Sequence, residues 1–139
     1  MSRAASSPAE TKPTRVLIVE DEMLNREVMA EALSEAGFEV DEADTADQAV
    51  EMLDIDGYRL VVTDIHMPGR LDGIGLARHV HNQHPKMPIV FVTGRPDVLA
   101  RLRDAGIPGT SLAKPFALDE LVKVVRDLLE APRRAAPGA

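Results

Sequence analysis

Four short apolar runs in this chain each stop at a polar residue that the interior of a sheet would reject. VLIV runs into Glu20, Asp21 and Glu22; LVVT ends at Asp64; IVFV ends at Thr93; and SLA ends at Lys114, followed by Pro115. If the runs are parallel strands of one sheet, their carboxyl ends share one edge, where open α/β sheets place their ligand sites. The chain then gathers carboxylates, a hydroxyl and an ammonium in one pocket, a set suited to a divalent metal and a phosphoryl group.

The segments between these runs support that arrangement. After the run Arg15 to Val19, the residues Met23, Leu24, Val28, Met29, Ala32 and Leu33 recur at helical spacing until Gly37. Phe38 to Asp41 reads as a second strand, and Thr45 as the N-cap of a helix carrying Ala49, Val50, Met52 and Leu53, closed near Gly57. Leu60 to Thr63 is a third strand. A helix marked by Ile74, Leu76, Ala77 and Val80 follows and is ended by Pro85, before a fourth strand at Ile89 to Val92. Pro96 suits a helix first turn, with Val98, Leu99 and Leu102 on that helix and Gly106 as its stop. Ser111 to Ala113 is a weak fifth strand, and Leu118 to Leu129 a final amphipathic helix.

Five strands alternating with five helices predict an α/β fold with a parallel sheet covered on both faces. Right-handed crossovers favour a doubly wound sheet of order 2-1-3-4-5, which sets the first and third strands side by side at the switch point. Glu20 and Asp21 then face Asp64, while Thr93 and Lys114 enter from the fourth and fifth strand ends.

With 139 residues, 45% of them hydrophobic, the chain suits one compact domain. Residues 1–14 and 131–139 lack apolar periodicity and read as a disordered and a flexible tail, leaving 15–130 as the folded unit. A net charge of −7 argues against a nucleic-acid surface. With no cysteine, a disulfide frame and a thiolate metal site are both excluded. No segment has the form of a signal peptide or a membrane span, so the expected location is cytoplasmic and the expected state a monomer or weak dimer.

The motifs LIVEDE, TDIHMPG, VFVTG and SLAKPF, in this order, resemble the signatures of two-component response-regulator receiver domains, a flavodoxin-like (βα)5 fold related to CheY. The resemblance spans about Arg15 to Glu130. It implies that Asp64 is the phosphoacceptor and that Glu20, Asp21, Asp64 and the backbone carbonyl of His66 hold Mg²⁺. It further implies that Thr93 and Lys114 contact the phosphoryl oxygens and that the Lys114–Pro115 peptide is cis. The implied activity is phosphoryl acceptance from a phosphohistidine followed by autodephosphorylation, without turnover as an enzyme. The implied partners are a sensor histidine kinase or a histidine phosphotransfer protein, with a downstream protein at the face of helix 4, strand 5 and helix 5. With no second apolar pattern after Glu130, the expectation is a single-domain regulator.

Elementary electrostatics supports the metal. Three carboxylates about 4 Å apart repel by roughly 4 kcal/mol per pair at an effective dielectric near 20, so such a pocket takes up protons or a cation. Mg²⁺, which accepts a few carboxylate oxygens together with water and phosphate, fits.

Two departures from the family pattern stand out. The position three residues before the lysine, often Tyr or Phe in receivers, is Ser111, so the usual aromatic relay is missing. The loop MPGRLDG is one residue longer than the commoner form, and Val92 stands where a stand-alone subgroup with a Phe-Ala-Thr-Gly motif has alanine.

Other readings attach to the same residues. A degenerate receiver would act as a constitutive adaptor; a haloacid dehalogenase-type phosphatase also uses Asp, Thr and Lys with Mg²⁺ but needs a second Asp where this chain has His66. Glu22 reads as a charge at a helix N-terminus. Met23, Met29 and Met52 read as core filling. Helical spacing allows only His81 and His84, of His79, His81 and His84, to share a face, so the three read as solvated.

Overall fold

The computed structural model describes residues 14–55, 57–65 and 72–138. Five strands and five helices alternate along the chain. They are β1 (Arg15–Val19), α1 (Met23–Glu35), β2 (Glu39–Ala43), α2 (Ala46–Ile55), β3 (Leu60–Asp64), α3 (Gly73–Gln83), β4 (Ile89–Thr93), α4 (Pro96–Asp104), β5 (Thr110–Ala113) and α5 (Leu118–Gly138). All neighbouring strands pair in parallel, in the order β2-β1-β3-β4-β5. This is the order expected from the sequence.

The strand alternation explains why the helices divide between two faces. Leu17, Val19, Val61 and Phe91 point to one side, where they meet Ala46, Ala49 and Leu53 of α2, Leu76, Ala77 and Val80 of α3, and Leu102 of α4. Val16, Ile18, Val62, Val90 and Val92 point to the other, against Met29, Ala30 and Leu33 of α1 and Leu121 and Val125 of α5. The central strands are therefore apolar on both faces, as buried parallel strands are.

Local signals act as expected at several boundaries. Thr45 Oγ1 accepts from the backbone N–H of Gln48 at 3.0 Å, and Gln48 Oε1 accepts from that of Asp44 at 3.1 Å, so the first turn of α2 is capped. Pro96 occupies the first turn of α4. Gly37 and Gly106, with φ of 105° and 73°, end α1 and α4 in the left-handed region that side chains disfavour. The final helix is continuous to Gly138, past Leu129, where its amphipathic pattern stops.

Two sequence expectations are corrected. Met23 is not core filling: it is 56% exposed, and Leu24 and Val28 beside it are 69% and 45% exposed. Only Met29, Ala30 and Leu33 of α1 reach the sheet, because the helix's first turn overhangs the strand ends rather than the sheet face. His79 and His84 do meet, although helical spacing separates them. His84 is the C-cap of α3, with φ −135° and ψ 63°, so it has left the helix, and both rings reach Asp54 on α2.

Candidate functional site

The pocket forms where β1, β3, β4 and β5 end together. Val19 pairs with Thr63, and Asp64 with Val92, so Glu20 and Asp64 stand side by side beyond the β1–β3 pairing. Thr93 pairs with Ala113, and the backbone N–H of Lys114 donates to the Thr93 carbonyl at 2.8 Å, which extends the β4–β5 ladder into the site. The Lys114–Pro115 peptide is cis, as the family pattern implies.

Glu20 and Asp64 are buried, at 1% and 8% exposure, and Asp21 is exposed. Oxygen atoms of Glu20, Asp21 and Asp64 come within 4.8 Å of one another. The Lys114 ammonium bridges this cluster, donating to Asp64 Oδ2 at 2.8 Å and to Glu20 Oε1 at 3.2 Å. Burial pushes the Glu20 carboxyl above its ordinary value, Asp64 pushes it the same way, and Lys114 draws it partly back. Burial pulls the Lys114 ammonium down, yet the hydrogen bond and charge of Asp64, with the charge of Glu20, more than offset that, so its pKa lies above the usual lysine value. Among the described residues, the Lys114 ammonium is the cation seen to bridge Glu20 and Asp64.

Backbone anchors fix these groups. Arg26 donates to the Glu20 carbonyl at 2.9 Å and to Glu42 Oε1 at 3.0 Å, tying α1 to the loop after β1. The buried Thr63 hydroxyl donates to the Asp64 carbonyl at 2.8 Å. Thr93 is buried at 3%, and its hydroxyl accepts from the Arg95 N–H at 3.1 Å, so its side chain shapes the turn that follows β4 at the rim of the pocket. Gly73 is a residue that sequence reasoning missed. A Cβ there would lie 2.4 Å from both the Asp64 carbonyl oxygen and Ile65 Cα, so α3 can start against the strand end only with glycine. Spacing gives no sign of that approach, because it joins a helix N-terminus to a strand end through an intervening loop.

Five of the six expected site residues thus fall in the described region and come together at one edge: Glu20, Asp21, Asp64, Thr93 and Lys114. His66 lies outside the described residues. Glu22 is the N-cap position of α1 and makes no side-chain bond to the helix backbone; its carboxylate instead accepts from the Asn25 amide. Ser111 sits exposed on the edge strand β5, opposite Phe91.

A doubly wound parallel sheet with an acidic pocket, a hydroxyl and a lysine at its switch point defines the class: an α/β module with its candidate site at the strands' carboxyl edge. Residues 16–126 match the response regulator receiver domain family, and the chain belongs to it. It is therefore a response-regulator receiver domain of two-component signalling. It is 37% identical over 127 residues to the response regulator MprA of Mycolicibacterium vanbaalenii, covering 90% of this chain and 53% of that protein. The chain spans about half the length of the curated relatives it matches. Among solved structures, the receiver domain of NtrX from Brucella abortus aligns with a TM-score of 0.76 at 33% identity, covering 83% of this chain and 98% of that one. The signal receiver domain of an HD domain-containing protein from Pseudomonas fluorescens Pf-5 aligns with a TM-score of 0.80 at 26% identity, covering 88% and 99%. Among the described residues, no helix is long and apolar enough to cross a membrane.

Proposed function

We propose that the chain is a cytoplasmic receiver that accepts a phosphoryl group on Asp64 from a phosphohistidine and signals by phosphorylation-dependent binding to a protein partner. The observation that carries this reading is the contact of Lys114 with both Asp64 and Glu20 at the mouth of a carboxylate pocket. In the transfer, an Asp64 carboxylate oxygen forms a bond to phosphorus as the P–N bond to the donor imidazole breaks and the electron pair leaves with that nitrogen. Lys114 holds the carboxylate in place and faces the charge on the transferred group. The Thr93 hydroxyl, at the adjacent strand end, donates to one of its oxygens.

The donor set fits Mg²⁺, since three carboxylates with oxygens within 4.8 Å and an exposed Asp21 suit an ion that keeps several waters. When bound there by Glu20, Asp21 and Asp64, with the His66 carbonyl completing the protein ligands, the ion supplies charge neutralisation for the incoming phosphate. The acyl phosphate product is open to water, so the mark is self-limiting.

A phosphohistidine must reach Asp64 through the pocket mouth, so its carrier has to cover the rim. That rim is apolar where α1 overhangs: Met23, Leu24 and Val28 are exposed, and a cavity lined by Val28, Met29, Pro115, Phe116 and Leu118 adjoins Glu20 and Lys114. We assign this surface to the histidine kinase or histidine phosphotransfer protein, and the face of α4, β5 and α5 to the downstream partner. With Ser111 in place of an aromatic, the signal leaves through the Gly94 to Val98 segment and α4. Unchanged NMR shifts there on adding Mg²⁺ and a phosphoryl mimic would sink that route.

Incubation with acetyl phosphate and Mg²⁺ followed by intact mass measurement tests the main reading. One added HPO₃ per chain, absent in Asp64→Asn, is expected. No gain in the native chain would identify a constitutive adaptor, and rapid hydrolysis of many phosphomonoesters a phosphatase.

A further inference from the structure

At the opposite end of the sheet, two helices close on a cluster that the phosphoryl chemistry does not use. Asp54 is in the last turn of α2, His79 lies on α3, and His84 caps α3 just before the chain turns into β4. The strands' carboxyl ends hold the acidic pocket, whereas α2 and α3 finish near the strands' amino ends, so the two sites are separated by the length of the sheet.

Both imidazoles converge on one oxygen. His79 Nε2 is 3.1 Å and His84 Nε2 3.2 Å from Asp54 Oδ1, and the ring centroids are 6.0 Å apart with planes inclined by 58°. The three ligand atoms lie within 4.8 Å of one another. A tetrahedral zinc ion with ligand bonds of about 2.0–2.1 Å sets its ligand atoms roughly 3.4 Å apart, so these oxygen–nitrogen distances already approach two edges of such a tetrahedron. The side chains of His79 and His84 are 24% and 27% exposed and that of Asp54 is 50% exposed, which leaves the outer side open to a water as fourth ligand. Two imidazole nitrogens with one carboxylate oxygen suit Zn²⁺ and its neighbours and disfavour Mg²⁺, which takes oxygen.

We propose that Asp54, His79 and His84 form a second metal site, selective for Zn²⁺ over Mg²⁺, that clips the end of α2 to the end of α3. Nothing in linear spacing announces it, because its carboxylate and its imidazoles come from different helices and His84 joins only by leaving the helix. A bound ion takes the lone pair of each Nε2, so binding displaces any proton those atoms carry.

Calorimetric titration of the full, tag-free chain with Zn²⁺ in excess Mg²⁺ tests the site. One Zn²⁺ per chain is expected, with a rise in Tm on binding. Loss of even an outer-shell partner weakens metal sites by about 10–100-fold, so His79→Gln and His84→Gln are each expected to weaken binding by at least tenfold. His81→Gln, whose side chain is exposed elsewhere on α3, is expected to bind as the native chain does. Co²⁺ in place of Zn²⁺ should give the visible absorption of a nitrogen-ligated ion, lost in the His79→Gln/His84→Gln double variant. Equal Zn²⁺ affinity in the native chain and that double variant would overturn the proposal, as would binding abolished by Asp64→Asn alone. The double variant's own Tm without metal separates loss of the site from loss of the fold.

Discussion

Replacing Lys114 with methionine keeps the aliphatic stem but removes the cation that the pocket depends on. Its ammonium is 2.8 Å from Asp64 Oδ2 and 3.2 Å from Glu20 Oε1, with side-chain exposures of 28%, 11% and 2% for Lys114, Asp64 and Glu20. At an effective dielectric near 20, the two contacts are worth about 6 and 5 kcal/mol before desolvation is subtracted. Stripping one partner from a buried pair costs about 3–5 kcal/mol, and the partial exposure of Lys114 puts the expectation at the low end, near 3 kcal/mol. For a domain of this size that is a Tm loss of roughly 10 °C. The pH dependence carries a definite sign. The Lys114 pKa is raised, so its contribution is present below the unfolded lysine value and is lost as pH rises through the raised one. At the acid end the contribution fades as Glu20, whose pKa is also raised, takes up a proton and no longer leaves a bare buried charge. Urea unfolding of the native chain and Lys114→Met should therefore differ most near neutral pH in metal-free buffer. The gap should narrow both on acidification through the Glu20 titration and on adding Mg²⁺. A loss under about 1 kcal/mol at pH 7, or a gap that widens in acid, would refute the bridging geometry.

Further outcomes follow from the same contacts. Gly73→Ala drives a Cβ to 2.4 Å from the Asp64 carbonyl oxygen, so stability should fall by about 2 kcal/mol or more and acyl phosphate yield should drop. Urea unfolding and intact mass read the two effects. Thr45→Ala removes the cap on α2 and is expected to cost ~1 kcal/mol in the same unfolding assay, with phosphoryl acceptance unchanged. Asp64→Asn removes one carboxylate of the metal cluster, so the Mg²⁺-induced rise in Tm should shrink relative to the native chain, as thermal unfolding with and without Mg²⁺ would show. Leu121→Ala, at a fully buried position between α5 and the sheet, should cost about 2–5 kcal/mol by denaturant unfolding.

How much of this was legible in the sequence depends on whether a residue's place is set by topology or by side-chain direction. Asp64, Thr93 and Lys114 each end a strand, and parallel pairing forces strand ends to one edge whatever the packing, so the set could be read from four apolar runs. Met23 could not be placed the same way. Helical periodicity reports which residues share a face but not how far the face extends over the sheet, and α1 projects past it. His84 escaped for a related reason. A periodic rule assumes that the helix continues, and His84 is the residue at which α3 stops. Gly73 and Arg26 position Asp64 and Glu20 through backbone atoms, a kind of contact that no pattern of side-chain types records.

The same distinction bears on how a signal could leave the pocket. Lys114 is joined to Thr93 through its own backbone N–H and to Asp64 and Glu20 through its ammonium, so under the proposed phosphorylation new charge on Asp64 would act directly on β4 and β5. Thr93 Oγ1, now an acceptor from the Arg95 N–H, is the group whose reorientation toward a phosphoryl oxygen would release that turn. The released turn leads straight into α4, whose Leu102 is buried while Leu99 is only half-buried. A receiver with Ser111 on its edge strand thus retains a covalent path from Thr93 to α4 that needs no aromatic side chain. Moving from mostly inactive to mostly active takes on the order of 5.5 kcal/mol, more than one threonine hydrogen bond contributes, so the partner's preference for the released turn must provide much of the difference.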